Sequence, residues 1–208
     1  SMNQPLGNAI GNILEVKEAI DTLHNKGPKD FTELCLSSGA TMLLQAGLYT
    51  DREKARTDLL ESLTTEKAFK VFRSFVKAQG GDVSYIDDPS KFPDSLYKIS
   101  VKSVKSGYIS KIDTMALGIA SMHLGAGREK LGDVIDPTAG IVLSKKLGDK
   151  VSKGDLLLTM YTEKPGMQSM LTSLLNAFDF SDEIVAIPNV VEERISMDSN
   201  DTFIIEKD

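Results

Sequence analysis

Between Asp82 and Pro93 the apolar residues lose all periodicity, and the hydrophobic pattern differs on the two sides of that stretch. Before it, apolar positions recur every three or four residues, as on one face of a helix. After it they alternate approximately, as in strands. A chain patterned this way folds as an α+β protein with its helices gathered early in the sequence. The aperiodic stretch is rich in Asp, Pro and Ser and marks a boundary between residues 1–93 and 94–208.

In the first part Ile10, Ile13, Val16, Ile20 and Leu23 form one helical stripe, which Gly27-Pro28 ends. Asp30 with Glu33 three residues on predicts the N-terminal cap of a second helix. That helix carries Phe31, Leu34, Cys35 and Met42 and turns apolar nearly all round at Met42-Leu43-Leu44, which predicts burial against more than one neighbour. Cys35 reads as a small buried hydrophobe. Thr50-Asp-Arg-Glu53 is a capping box for a third helix with Ala55, Leu59, Leu60 and Leu63 inward. Phe69, Phe72, Phe75 and Val76 define a fourth, stopped by Gln79-Gly-Gly81.

In the second part Tyr97, Ile99, Val101 and Val104 read as a strand, and Tyr108-Ile109 as another. A helix follows from Thr114 to His123, with Gly118 inside it. A helical glycine costs stability unless something packs on it, so a close crossing is expected there. Gly140–Leu143 reads as a strand, Gly148-Asp149 and Gly154-Asp155 as tight turns, and Leu156–Thr159 as a strand. A helix over Met167–Phe178 and short strands at Ile184–Ile187 and Phe203–Ile205 complete the pattern.

A net charge of −6 excludes the large basic surface that nucleic acid or an anionic membrane needs. One cysteine allows no internal disulfide, no apolar run is long enough to span a bilayer, and no signal-peptide pattern opens the chain; together these predict a cytoplasmic protein. Ser1-Met2 reads as a cleavage scar ahead of residues already inside a loop. Asn200-Asp-Thr202 matches the glycosylation sequon by chance in a polar loop.

Gly125-Ala-Gly127 invites comparison with phosphate loops, but Lys130 stands where the dinucleotide fingerprint needs glycine, and Asp133 where the P-loop needs lysine. A helix C-terminal turn is the better reading. His24 and His123 lack the spacing of a zinc pair. Asp113, Asp133 and Asp136 read as turn or cap residues. Gly148-Asp-Lys-Val-Ser-Lys-Gly-Asp-Leu156 resembles the hairpins of biotinyl and lipoyl carrier domains, with Lys145, Lys146 and Lys153 as the lysines to consider. No Met-Lys-Met occurs, so shared local geometry is preferred over carrier function.

Several separated motifs agree, in order, with one family. Asn3–Asn12, Leu14–Ile20 and Gly27–Leu34 resemble the middle of pyrimidine-nucleoside phosphorylases. Gly107–Arg128, Asp133–Lys146 and Gly148–Leu158 resemble their C-terminal domain, and the similarity weakens after Thr162. The resemblance implies a pentosyltransferase that uses phosphate to cleave uridine or thymidine into free base and pentose 1-phosphate. It implies a helical remnant of a catalytic α/β domain over 1–93 and an α/β-hammerhead domain over 94–208. Family members are about twice as long, so the chain reads as a C-terminal half. The lysine-histidine-serine phosphate loop and the base-binding arginine, serine and lysine lie upstream in the family, so no catalytic residue is carried over and the chain by itself is expected to be inactive. A potassium ion is implied, held by the backbone carbonyls of Leu6 and Ala9 and by Glu18. The family's homodimer forms through helices upstream, and no nucleic-acid or membrane partner is implied. A thymidine phosphorylase or an adenosine-monophosphate phosphorylase remains open, as does a stand-alone carrier-like or interaction module.

Overall fold

The computed structural model describes residues 1–197 and 203–207. The chain enters as a short strand β1 (Ala9–Ile10) and four helices, α1 (Asn12–Leu23), α2 (Lys29–Gln45), α3 (Arg52–Thr64) and α4 (Lys67–Ala78). A single helical turn α5 (Ser84–Asp87) and a 3₁₀ turn at Pro89–Lys91 fill the aperiodic stretch. Then come β2 (Tyr97–Lys102), β3 (Gly107–Ile112), α6 (Thr114–Ser121), β4 (Gly140–Leu143), β5 (Lys150–Val151), β6 (Leu156–Thr162), α7 (Leu171–Leu175), β7 (Phe178–Ser181), β8 (Glu193–Met197) and β9 (Phe203–Lys207). Helices with antiparallel sheets make this an α+β fold, as the pattern predicted. The Asn200-Asp-Thr202 sequon lies outside the described residues.

One sheet runs β1-β4-β6-β2, a second β5-β3-β7, and β8 pairs with β9. Every pairing is antiparallel. Between the first two sheets, α6 and α7 enclose an apolar core in which Ile109, Leu117, Leu124, Ile141, Leu157 and Met160 are fully buried. Two hydroxyls that reach this core are satisfied: Thr162 donates to the Leu124 carbonyl at 2.7 Å and Ser121 to the Ile10 carbonyl at 2.9 Å.

Local signals explain most element ends. Asp51 caps α3 by accepting from the amides of Glu53 and Lys54, one residue later than the Thr50 start of the capping box. Asp113 caps α6 through the Ala116 amide, Asp133 accepts from the Glu129 and Lys130 amides, and Asp136 accepts from Thr138. All three therefore do turn or cap work. After α6 a π-turn over Met122–Ala126 ends the helix with Gly125 at φ 123°, the terminating role expected of the glycine pair.

Other expectations are corrected. Ile10 belongs to β1 and pairs with Ile141, because an edge strand was open beside it. Pro28, not Asp30, stands at the α2 N-cap; Asp30 is inside the first turn and turns its carboxylate to the loop before β1. Met42 is 66% exposed and Cys35 is exposed, since α2 packs on α3 and leaves its other side uncovered. Gly118 has nothing within 4 Å of where a Cβ would sit, so no element crosses there. Over Met167–Phe178 a 3₁₀ turn leads into only five residues of α7, and Phe178 already belongs to β7. Ile184–Ile187 forms no strand.

Candidate functional site

The residues tied by resemblance to a cation lie where the loop before β1 crosses α1 and α2. Pro5 and Gly7 are buried, and Gly7 has φ +65°. A Cβ at Gly7 would come within 2.1 Å of the Glu18 carboxylate, so both the backbone and the close approach demand glycine. Glu18 projects from the middle of α1. Its Oε1 accepts from the amides of Asn8 at 2.7 Å and Ala9 at 3.1 Å. Asp30 accepts from the Gly7 amide at 3.1 Å. Two helix carboxylates thus hold three successive amides.

The carbonyls of this loop diverge. Asn8 gives its oxygen to the Leu143 amide, which makes Ala9 a non-hydrogen-bonded position of the β1–β4 ladder and turns its carbonyl away from β4. Among the described residues no protein hydrogen bond takes up the Leu6 carbonyl. Pro5 and Gly7 present theirs to the ammonium of Lys146, which also pairs with Asp30 at 2.9 Å. Burial is the main influence on Glu18 and pushes its carboxyl above the ordinary value. The amides of Asn8 and Ala9 act against that, nearby Asp30 reinforces it, and Lys146 relieves it.

Of the three residues carried over, the structure brings Ala9 and Glu18 into direct contact and places Leu6 one residue before the glycine that packs on Glu18. Asn8, Ala9 and Glu18 open onto a polar cleft of about 490 Å³, walled also by Lys17, Asp21 and Lys98. By donor type, two carbonyl oxygens and one half-buried carboxylate suit a hard monovalent cation, but Ala9 and Glu18 line this cleft while Leu6 lines a different one. Sequence reading missed Asp30 and Lys146 as neighbours of this site. Nothing local could have signalled them, because Lys146 reaches Pro5 across 141 residues of chain.

The remaining titratable candidates sit elsewhere. His24 faces Glu66 at 3.5 Å and stacks on Phe69, while His123 pairs with Glu129 at 2.9 Å. The two histidines are not brought together. Cys35 is exposed, and partial desolvation still holds its thiol above the usual value. Of the lysines weighed as carrier positions, Lys146 is committed to its ion pair, Lys145 reaches the Lys150 carbonyl at 3.3 Å, and Lys153 is exposed at the turn after β5.

Residues 108–181, from β3 through β7, match the family model described as the pyrimidine nucleoside phosphorylase C-terminal domain. The match therefore continues past Thr162. The chain is 43% identical over 195 residues to the pyrimidine-nucleoside phosphorylases of Staphylococcus aureus strains USA300 and NCTC 8325 / PS 47. The aligned part is 94% of this chain and 45% of each relative. That of strain MSSA476 is likewise 43% identical, over 194 residues. The resemblance read from separated motifs is borne out, and the chain spans about half the length of the curated relatives it matches.

Proposed function

We propose that this chain is part of a pyrimidine-nucleoside phosphorylase, with the family's C-terminal domain at residues 108–181, and that it serves phosphate-dependent cleavage of uridine or thymidine. In that reaction a phosphate oxygen bonds to the anomeric carbon as the glycosidic C–N bond breaks. The base leaves with the electron pair and takes up a proton, giving free pyrimidine and pentose 1-phosphate. Charge develops on both the entering and the leaving group, so cationic and hydrogen-bonding donors must meet each. The 208 residues contain no lysine-histidine-serine loop, and the part of the reaction assigned to them is structural support and half of a cation site. The observation that carries the reading is sustained identity over 94% of the chain, across both its helical and its strand-rich parts.

In this reading residues 1–93 are the helical part of a catalytic α/β domain and 94–208 a hammerhead domain. Potassium would be held by the Leu6 and Ala9 carbonyls and Glu18, supplying fixed positive charge beside an anionic substrate. The protein works as a cytoplasmic homodimer with a nucleoside and phosphate as its partners. No helix among the described residues is long and apolar enough to cross a membrane. A stand-alone biotinyl- or lipoyl-like module is not favoured, since the similarity follows the phosphorylases through the whole carrier-like hairpin.

Release of uracil from uridine, or thymine from thymidine, by the whole protein that contains this chain tests the proposal. Release must depend on phosphate and yield the pentose 1-phosphate. Absence of release from both nucleosides overturns it. The 208 residues alone are expected to release none, and turnover by them would show that they hold catalytic groups of their own.

A further inference from the structure

An ammonium has three N–H donors, and three oxygens meet that of Lys146: the carbonyls of Pro5 and Gly7 and the Asp30 carboxylate. Side-chain exposure is 18% for both Lys146 and Asp30. The lysine stands on the turn after β4, which the Asp149 carboxylate closes by accepting from the Lys146 amide at 2.8 Å. Two carbonyls flanking one peptide unit are thereby drawn to a single positive point, as a bound monovalent ion would draw them. The Leu6 carbonyl between them is left out of that shell.

We propose that Lys146 is a positioning residue whose ammonium acts as a tethered substitute for a monovalent cation. By gathering Pro5, Gly7 and Asp30 it sets the loop from which the Leu6 and Ala9 carbonyls project and which hands the Asn8 and Ala9 amides to Glu18. Its consequence for a second, exchangeable cation rests on the reading of Leu6, Ala9 and Glu18 given above. The ordering of the loop by Lys146 stands on the geometry alone.

Amide hydrogen exchange at Gly7, Asn8 and Ala9 in the 208-residue chain tests the proposal, with the Leu157 amide as a monitor of the core. Lys146→Met keeps the packing of the stem and removes the charge. Exchange at the three loop amides should quicken about tenfold or more through local opening, with Leu157 unchanged. In Lys146→Ala, ammonium or methylammonium ions should restore protection, and tetramethylammonium, which has no N–H to donate, should not. Lys145→Ala on the same turn should leave the loop as it is. Unchanged exchange in Lys146→Met overturns the proposal. So does quickening in Lys146→Ala that ammonium leaves uncorrected, because a purely packing role would behave that way. If Lys146→Ala does not fold, the Lys146→Met result decides. Thallium(I) binding to the unaltered chain, followed by its own nuclear resonance, tests the cation reading separately, and its failure leaves the exchange result intact.

Discussion

The strand-rich region and the helices before it bury their apolar residues in different ways. The main core cluster draws all its buried members from Val101 to Phe178, where two sheets and two helices close around one another. The earlier helices have no such enclosure. No residue of α4 is buried, and Val71 and Phe75 on it are 69% and 59% exposed. In α1–α3 the buried apolar residues are fewer, Ile20, Leu36, Ala40, Ala55 and Leu63 among them, and the polar links between the helices lie on the rim: Arg56 on Glu33, Tyr49 on Asp58 and Arg73 on Asp87. Ion pairs of that exposure add little stability. A hydrophobic pattern therefore foretells a helix, but enclosure decides what its burial is worth.

The largest expected effect contrasts the two regions directly. Leu157→Ala, in the closed core, should cost about 2–5 kcal/mol in urea denaturation. Phe75→Ala, on the open helix, should cost less than about 1 kcal/mol. Equal losses would mean that α4 is enclosed in solution and would break the comparison.

Two glycines sharpen it at the next scale. Gly140 begins β4 at φ +153°, and a Cβ there would lie 2.3 Å from the Ile10 carbonyl. Gly140→Ala should destabilise by about 2 kcal/mol or more, from strain and steric overlap together. Gly118→Ala meets open space inside α6 and should stabilise by about 0.5–1 kcal/mol through helix propensity. Thermal unfolding of the two variants gives the sign of each. A loss at Gly118 would restore the close crossing that its sequence position suggested.

The smallest effect lies at the seam between the regions. Burial holds the Glu18 carboxyl above its ordinary value, so the folded state binds that proton more tightly than the unfolded state does. The resulting stability is present below the ordinary carboxylate range and is lost as pH rises through the raised folded value. Glu18→Gln keeps an acceptor for the Asn8 and Ala9 amides and should flatten that part of the stability–pH curve. An unchanged slope in urea midpoints across the acidic range would remove burial as the cause.

Much of this was readable in the residues. The change from helices to strands across residues 82–93, the Asp113 cap and the strand at Gly140–Leu143 follow from short-range chemistry that the sequence displays, and the start of α3 was legible to within one residue, with Thr50 read where Asp51 caps. The failures share a cause. Ile10 fits a helical stripe yet lies in a strand because the β4 edge, far along the chain, was open to it. Met42 and Cys35 sit in an apolar stretch of α2 on a side that α3 does not cover, and both are exposed. At the candidate site Glu18, Leu6 and Ala9 came from resemblance to a family, since a helix glutamate carries no mark of its own. Asp30 looked like a cap and Lys146 like one more lysine of a carrier-like hairpin, because their partners are set by tertiary folding alone.

The two residues of β1 have a consequence for how this molecule meets its own kind. They cover the outer edge of β4, one side of a four-stranded sheet whose other edge is β2. An uncovered strand edge offers unpaired amides and carbonyls to any passing strand. Removing the segment through Ile10 would expose the β4 edge as a template for chain-to-chain pairing, even with the apolar core behind it intact. So slight a strand adds little to folding energy, yet it keeps the β4 edge paired.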